Sequence, residues 1–168
     1  MRKVSWIILL IVVAALIGCR SSQPELTDEQ KQLVDDLKDV TKEYLAEKVG
    51  VMGFGGKVYC AHKVLDVEMS GEIVNEYVYA VCQEYYPRNG ELQQGTGTGM
   101  PVALLIKKQD TTYQVISHRI PGDGARYASD VERIFPKRIH DAIFYSVHEE
   151  NFWQADVERE AKEHDGIR

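Results

Sequence analysis

KVYCAHKVLDVEMSGEIVNEYVYAVCQEYY, residues 57–86, is the stretch that decides the fold. Tyr59, Ala61, Leu65, Val67 and Met69 alternate with Cys60, His62, Asp66 and Glu68, the period of two expected of a strand with one buried face. Ser70-Gly71 is a turn signal, and Ile73 to Tyr86 is rich in β-branched and aromatic residues, so the stretch reads as a β-hairpin. A two-residue loop pairs positions whose numbers sum to 141, setting Leu65 opposite Glu76 and turning Cys60 and Cys82 to opposite faces. A three-residue loop of Ser70, Gly71 and Glu72 gives 142 instead. Leu65 then faces Tyr77, Ala61 faces Val81, and Cys60 lies opposite Cys82. The second register matches polarity better, because a one-residue slip turns every side chain to the other face. It predicts a disulfide across the hairpin where local geometry permits one.

Outward from the hairpin, Pro87-Arg88-Asn89-Gly90 is a turn, and Glu91 to Gly99 reads as a long polar loop. Met100 to Lys108 is a third strand, Asp110-Thr111-Thr112 a turn, and Tyr113 to Ile120 a fourth strand. Connections this short imply an antiparallel sheet. Toward the N-terminus, Thr27 with Gln30 forms a capping box, and Leu33, Leu37, Val40 and Tyr44 recur at helical spacing until Gly50 ends the helix. Toward the C-terminus, Ser129 with Glu132 reads as a cap for a short helix reaching Phe135. Pro136 opens a second helix carrying Ile139, Ile143 and Val147, and Asn151 with Gln154 caps a last one with Trp153, Val157 and Ala161. The expected class is α+β, an N-terminal helix against a four-stranded antiparallel sheet, followed by two or three C-terminal helices. That layout resembles the cystatin-like and NTF2-like architectures, a likeness that carries no function by itself.

The N-terminus is a different kind of segment. Arg2 and Lys3 are positive, Trp6 to Leu16 are apolar, and Leu16-Ile17-Gly18-Cys19 closes the run. A basic start, a short apolar core and a small residue before a cut site describe a secretory signal, and the run is short of the roughly 20 residues of a membrane span. Leu16, Ile17, Gly18 and Cys19 resemble the lipobox of bacterial lipoproteins. The resemblance implies cleavage before Cys19, a diacylglycerol thioether on its sulfur, and attachment to the outer face of a membrane through that lipid. It divides the chain into a signal peptide (1–18), a tether (19–26, broken by Pro24) and a single domain (27–168). Loss of Arg2 and Lys3 moves the formal net charge from −6 to −8, a balance that disfavours nucleic acid and anionic headgroups as partners. A second stretch, Ile120-Pro121-Gly122-Asp123-Gly124 through Tyr127-Ala128-Ser129-Asp130 and Ile134-Phe135-Pro136, is similar to a segment of uncharacterised extracytoplasmic domains of Gram-positive bacteria. Some of those are joined to membrane metallopeptidases, whose zinc-binding helix has no counterpart in this sequence. The likeness favours a Gram-positive plasma membrane.

Motifs for catalysis are scarce. Gly95-x-Gly97-x-Gly99 and Gly53-Phe54-Gly55-Gly56 look like phosphate loops, but neither follows a strand and opens a helix, as a phosphate site requires. His62, His118, His140, His148 and His164 include no zinc-helix spacing, and no nucleophile elbow is present, so neither metal nor cofactor is expected. Cys60 and Cys82 are candidates for a structural bridge, with a thiol nucleophile beside His62 as the alternative. Tyr59, Tyr77, Tyr79, Tyr85 and Tyr86 read first as strand packing and second as a ligand-facing surface, with His62, Tyr79 and His118 as its candidate contacts. The functional expectation is a membrane-anchored extracytoplasmic domain that binds a small ligand or an envelope protein without catalysis. The alternative is a small enzyme assembled from His62, Asp66, Glu68, His118 and Asp123. A third reading docks the helix Thr27 to Val49, or the terminal helices, on another envelope protein.

Overall fold

The computed structural model describes residues 25–146 and 152–165. The apolar N-terminal segment, Cys19, most of the tether, Val147, His148 and Asn151 lie outside them. Helix α1 spans Asp28–Lys48 and begins on a capping box: the Gln30 amide donates to Thr27 Oγ1 at 3.2 Å, and the Thr27 amide donates to Gln30 Oε1 at 2.9 Å. The Gln30 side chain also donates through Nε2 to the carbonyl of Val67 at 2.8 Å, which ties the start of the helix to the sheet. Val49 caps the far end in a right-handed conformation, so Gly50 is not a left-handed cap. Its place is set by packing, since a Cβ there would lie 2.4 Å from Val58 Cγ1.

Strands β1 (Lys57–Ser70), β2 (Ile73–Arg88), β3 (Glu91–Gln109) and β4 (Thr112–Arg119) form one antiparallel sheet in the order β1-β2-β3-β4. Cys60 pairs with Cys82 and Ala61 with Val81, but the hairpin reaches that register by a different route. Its loop has two residues, Gly71 and Glu72, with Gly71 at φ +61°, and Ser70 pairs with Ile73. An extra residue, Leu65, then shifts the ladder, so Asp66 rather than Leu65 stands opposite Tyr77. A bulge of this kind restores the pairing of the cysteines after a tighter turn than three residues. The expected polar loop from Glu91 to Gly99 is also corrected. Asn89 and Gly90, both at positive φ, make a two-residue turn, and β3 runs unbroken from Glu91. Its glycines are strand residues that leave room for side chains of β2.

β2 is buried on both faces. Even-numbered β2 residues (Val74, Val78, Ala80, Cys82) pack with Leu37 and Leu45 of α1. Odd-numbered ones (Tyr77, Tyr79) meet a layer built by the C-terminal segment, where Val131, Phe135, Ile139 and Ile143 are buried. Helix α2 is Tyr127–Ile134, entered through a 3-10 turn at Gly124–Arg126, so Ser129 lies inside it and donates to the Arg126 carbonyl rather than capping. The stretch after Pro136 is a 3-10 turn, Lys137–Ile139, and a π-helical turn, Ala142–Ser146, instead of one α-helix. Helix α3, Phe152–Asp165, buries Trp153, Val157 and Ala161, the last two beside Tyr59 and Tyr85. Arg138 locks the C-terminal layer to β1 by pairing with the buried Asp66 and with Glu68.

Candidate functional site

The sheet has two edges, and one of them lies in a groove. The outer side of β1 near Lys57–Cys60 is flanked by α1 on one side and by Glu160 of α3 on the other, enclosing about 690 Å³. Ala46, Met52 and Val58 make its apolar lining, and Asp39, Glu43, Glu47, Lys42, Lys57 and Glu160 its charged rim. The ion pair of Lys42 and Glu160 crosses between the two helices outside the edge of the strand. Lys57 sits over the ring of Tyr59, 5.1 Å from its centroid. A second, smaller recess of about 520 Å³ lies at the start of α1, between Leu33, Val67, Met69 and Tyr113.

The floor of the groove is stapled by the Cys60–Cys82 bond, with the two Cα atoms 4.1 Å apart. That short separation marks a pair that does not exchange backbone hydrogen bonds, so the N–H and C=O of Cys60 point away from β2. Among the described residues no strand pairs with that outer side.

The residues singled out from sequence do not converge. His62 lies on β1 under α1, where burial lowers its pKa to about 4, with Lys42 and Lys38 adding to the effect. His118 lies on β4, and its Nδ1 is 3.0 Å from the hydroxyl of Tyr44. His118 is level with Val67 of β1, so it and His62 are three strands and five residues apart, on the order of 20 Å. Tyr79 faces the opposite layer and is 8% exposed, packed with the C-terminal segment. A ligand surface of His62, Tyr79 and His118 is therefore not assembled, and Tyr59, Tyr77 and Tyr85 are likewise packed away. Asp66 and Glu68 serve Arg138, and Asp123 makes no side-chain cap. It is Asp130 Oδ2 that accepts from the Gly122 amide, at 2.9 Å. The scattered enzyme centre is not brought together either.

Glu84 and Glu76 are fully buried carboxylates on β2. Glu84 accepts from the amides of Gly53, Phe54 and Gly56 at 2.9 Å each and of Thr96 at 3.2 Å. Burial pushes its pKa up, but these four N–H donors pull harder and set it at about 2. The two glycine clusters thus do form an anion cradle, and this chain's own carboxylate fills it. Glu76 is fully buried under α1 and accepts from Thr41 Oγ1 at 2.5 Å, while its Oε1 has no partner among the described residues. Burial raises its pKa to about 7 against the opposing pull of that bond. A strand period was the only signal for either, since both sit where alternation expects an apolar side chain. No protein-family model, curated protein or solved structure matches the chain.

Proposed function

We propose that this protein is a lipid-anchored extracytoplasmic binding domain, held at a bacterial membrane through Cys19 and recognising a partner rather than transforming a substrate. The observation that carries the reading is Leu16-Ile17-Gly18-Cys19 at the end of a short apolar run behind Arg2 and Lys3. The Cys60–Cys82 bond supports it, because disulfides persist in compartments outside the cytoplasm. The binding half is supported by the groove at the β1 edge, and by the structural pairings of Asp66 and Glu68 with Arg138 and of His118 with Tyr44. The stretch from Ile120 to Pro136 favours the plasma membrane of a Gram-positive cell.

The anchor is tested by intact mass spectrometry of protein extracted from membranes. The expected species has lost residues 1–18 and carries a diacylglyceryl group on Cys19, and Cys19→Ala moves the protein out of the membrane fraction. An unmodified Cys19, or membrane retention of Cys19→Ala after signal cleavage, overturns the reading.

A further inference from the structure

We infer that the outer edge of β1, from Lys57 to His62, is a strand-addition site that takes an extended segment of a partner protein bearing basic side chains. The inference rests on the binding reading above and is independent of the lipid anchor. Its first support is the direction of the backbone. Cys60 belongs to a narrow pair with Cys82, and pairing alternates along an antiparallel ladder. Val58, Cys60 and His62 therefore all present N–H and C=O groups outward, in a row that an incoming strand can satisfy.

The second support is the shape around that row. An added strand lies about 4.8 Å outside β1 in the plane of the sheet. That position falls in the groove between α1 and α3, whose volume is within the range of ordinary ligand sites. Alternate side chains of the added segment would meet Ala46, Met52 and Val58 on the α1 side. Farther along β1 the edge is closed: the Val67 carbonyl accepts from Gln30, Leu65 bulges, and Arg138 covers Asp66 and Glu68. Lys57–Cys60 combine outward backbone groups with a walled channel, and the outward groups of His62 continue the row just beyond its lining.

Charge then selects the occupant. Four carboxylates (Asp39, Glu43, Glu47, Glu160) and two amines (Lys42, Lys57) line the channel. Lys42 is already neutralised by Glu160, and Lys57 rests on Tyr59, which leaves the α1 wall acidic. Lysine or arginine side chains on the added segment complement that wall. The Lys42–Glu160 pair closes the channel from outside. Both partners are more than a third exposed, so the pair opens at little cost, and opening it admits the strand.

The test pans the full-length protein, in detergent micelles, against displayed random twelve-residue peptides. The selected peptide is then synthesised and titrated while amide exchange is followed by NMR. Selected peptides are expected to alternate basic with apolar residues and to slow exchange at Val58, Cys60 and His62 by about tenfold or more. Lys42→Ala, which removes the strap, should tighten Kd about threefold, and the exposed double change Glu43→Lys with Glu47→Lys should weaken it about fivefold or more. Peptides that protect amides elsewhere overturn the groove but leave a binding domain standing. Absence of any enrichment overturns both. Protection of the same amides that grows with protein concentration, without peptide, makes a second copy the occupant and also overturns the inference.

Discussion

Glu84 shows how a single residue gives meaning to two glycine clusters that look like ligand loops. Its carboxylate takes four backbone N–H groups from Gly53, Phe54, Gly56 and Thr96, and Gly53, Gly56 and Gly95 stand where a Cβ would crowd its neighbours. A Cβ at Gly95 would lie 2.6 Å from Glu84 Oε2, and one at Gly56 would lie 2.2 Å from the Tyr85 carbonyl. Glu84→Gln keeps the shape but turns an NH2 group toward donors, leaving some of them unsatisfied. The expected outcome is a lower melting temperature together with faster amide exchange at 53–56 and at Thr96. Gly95→Ala should do the same by forcing the carboxylate aside. Unchanged exchange at those amides in both variants would refute the cradle. The apolar tip beside it, Phe54 stacked on Tyr86 at 5.2 Å, is positioned by the same contacts.

Among the elements, the β1–β2 hairpin organises the molecule. Its turn is tight, its ladder shifts at Leu65, and its staple joins residues 22 apart in sequence. Closing a loop of that length stabilises by about 3 kcal/mol, mainly by restricting the unfolded chain. Replacing both cysteines with alanine should therefore cost about 3 kcal/mol in urea unfolding of the oxidised protein. Reducing the wild type should lose a similar amount, whereas a loss below about 1 kcal/mol would mean the bond contributes little. The hairpin was legible as a hairpin because alternation and turn residues are local signals. The bulge was not, since nothing in Val64-Leu65-Asp66 distinguishes a ladder shift from a regular strand. Tertiary demand selects it: it leaves Leu65 and Asp66 both buried, the first in the C-terminal layer and the second facing Arg138.

At the scale of the whole molecule, two buried titrating groups oppose each other. Glu76 ionises near pH 7 when folded and near 4.5 as a free acid. Its contribution is complete below 4.5 and is lost as pH rises through 7, because the unfolded chain releases that proton first. His62 has the reverse sense, with a folded pKa of about 4 against an ordinary 6.5. Its contribution is complete above 6.5 and is lost as pH falls through 4. From these two groups stability is expected to be nearly level between about 4.5 and 6.5, to fall only slightly up to about 7, and to stay level above that. Glu76→Gln, which can still accept from Thr41, should remove the loss that Glu76 imposes between about 4.5 and 7, so the variant gains on the parent as pH rises across that range. It should raise stability at pH 8 by on the order of 2 kcal/mol and change little at pH 4.5, where the acid is protonated in both states. Thermal unfolding of both proteins across that range checks it, and an equal gain at both pH values would exclude ionisation as the cause.

Sequence alone determined what depends on neighbours along the chain: the capping box at Thr27, the helical stripe to Tyr44, the two-residue period, the turns, and with them an α+β layout. Only the tertiary structure decided what depends on groups far apart. It runs Glu91–Gly99 into a strand because β2 supplies a partner, and it breaks the expected helix after Pro136 into 3-10 and π turns that bury both Ile139 and Ile143. It separates His62, Tyr79 and His118 onto different faces and strands. It encloses the β1 edge between α1 and α3, two helices more than a hundred residues apart in sequence. Local conformational preference is written in adjacent residues, whereas enclosure is a property of surfaces that meet only when the chain is folded.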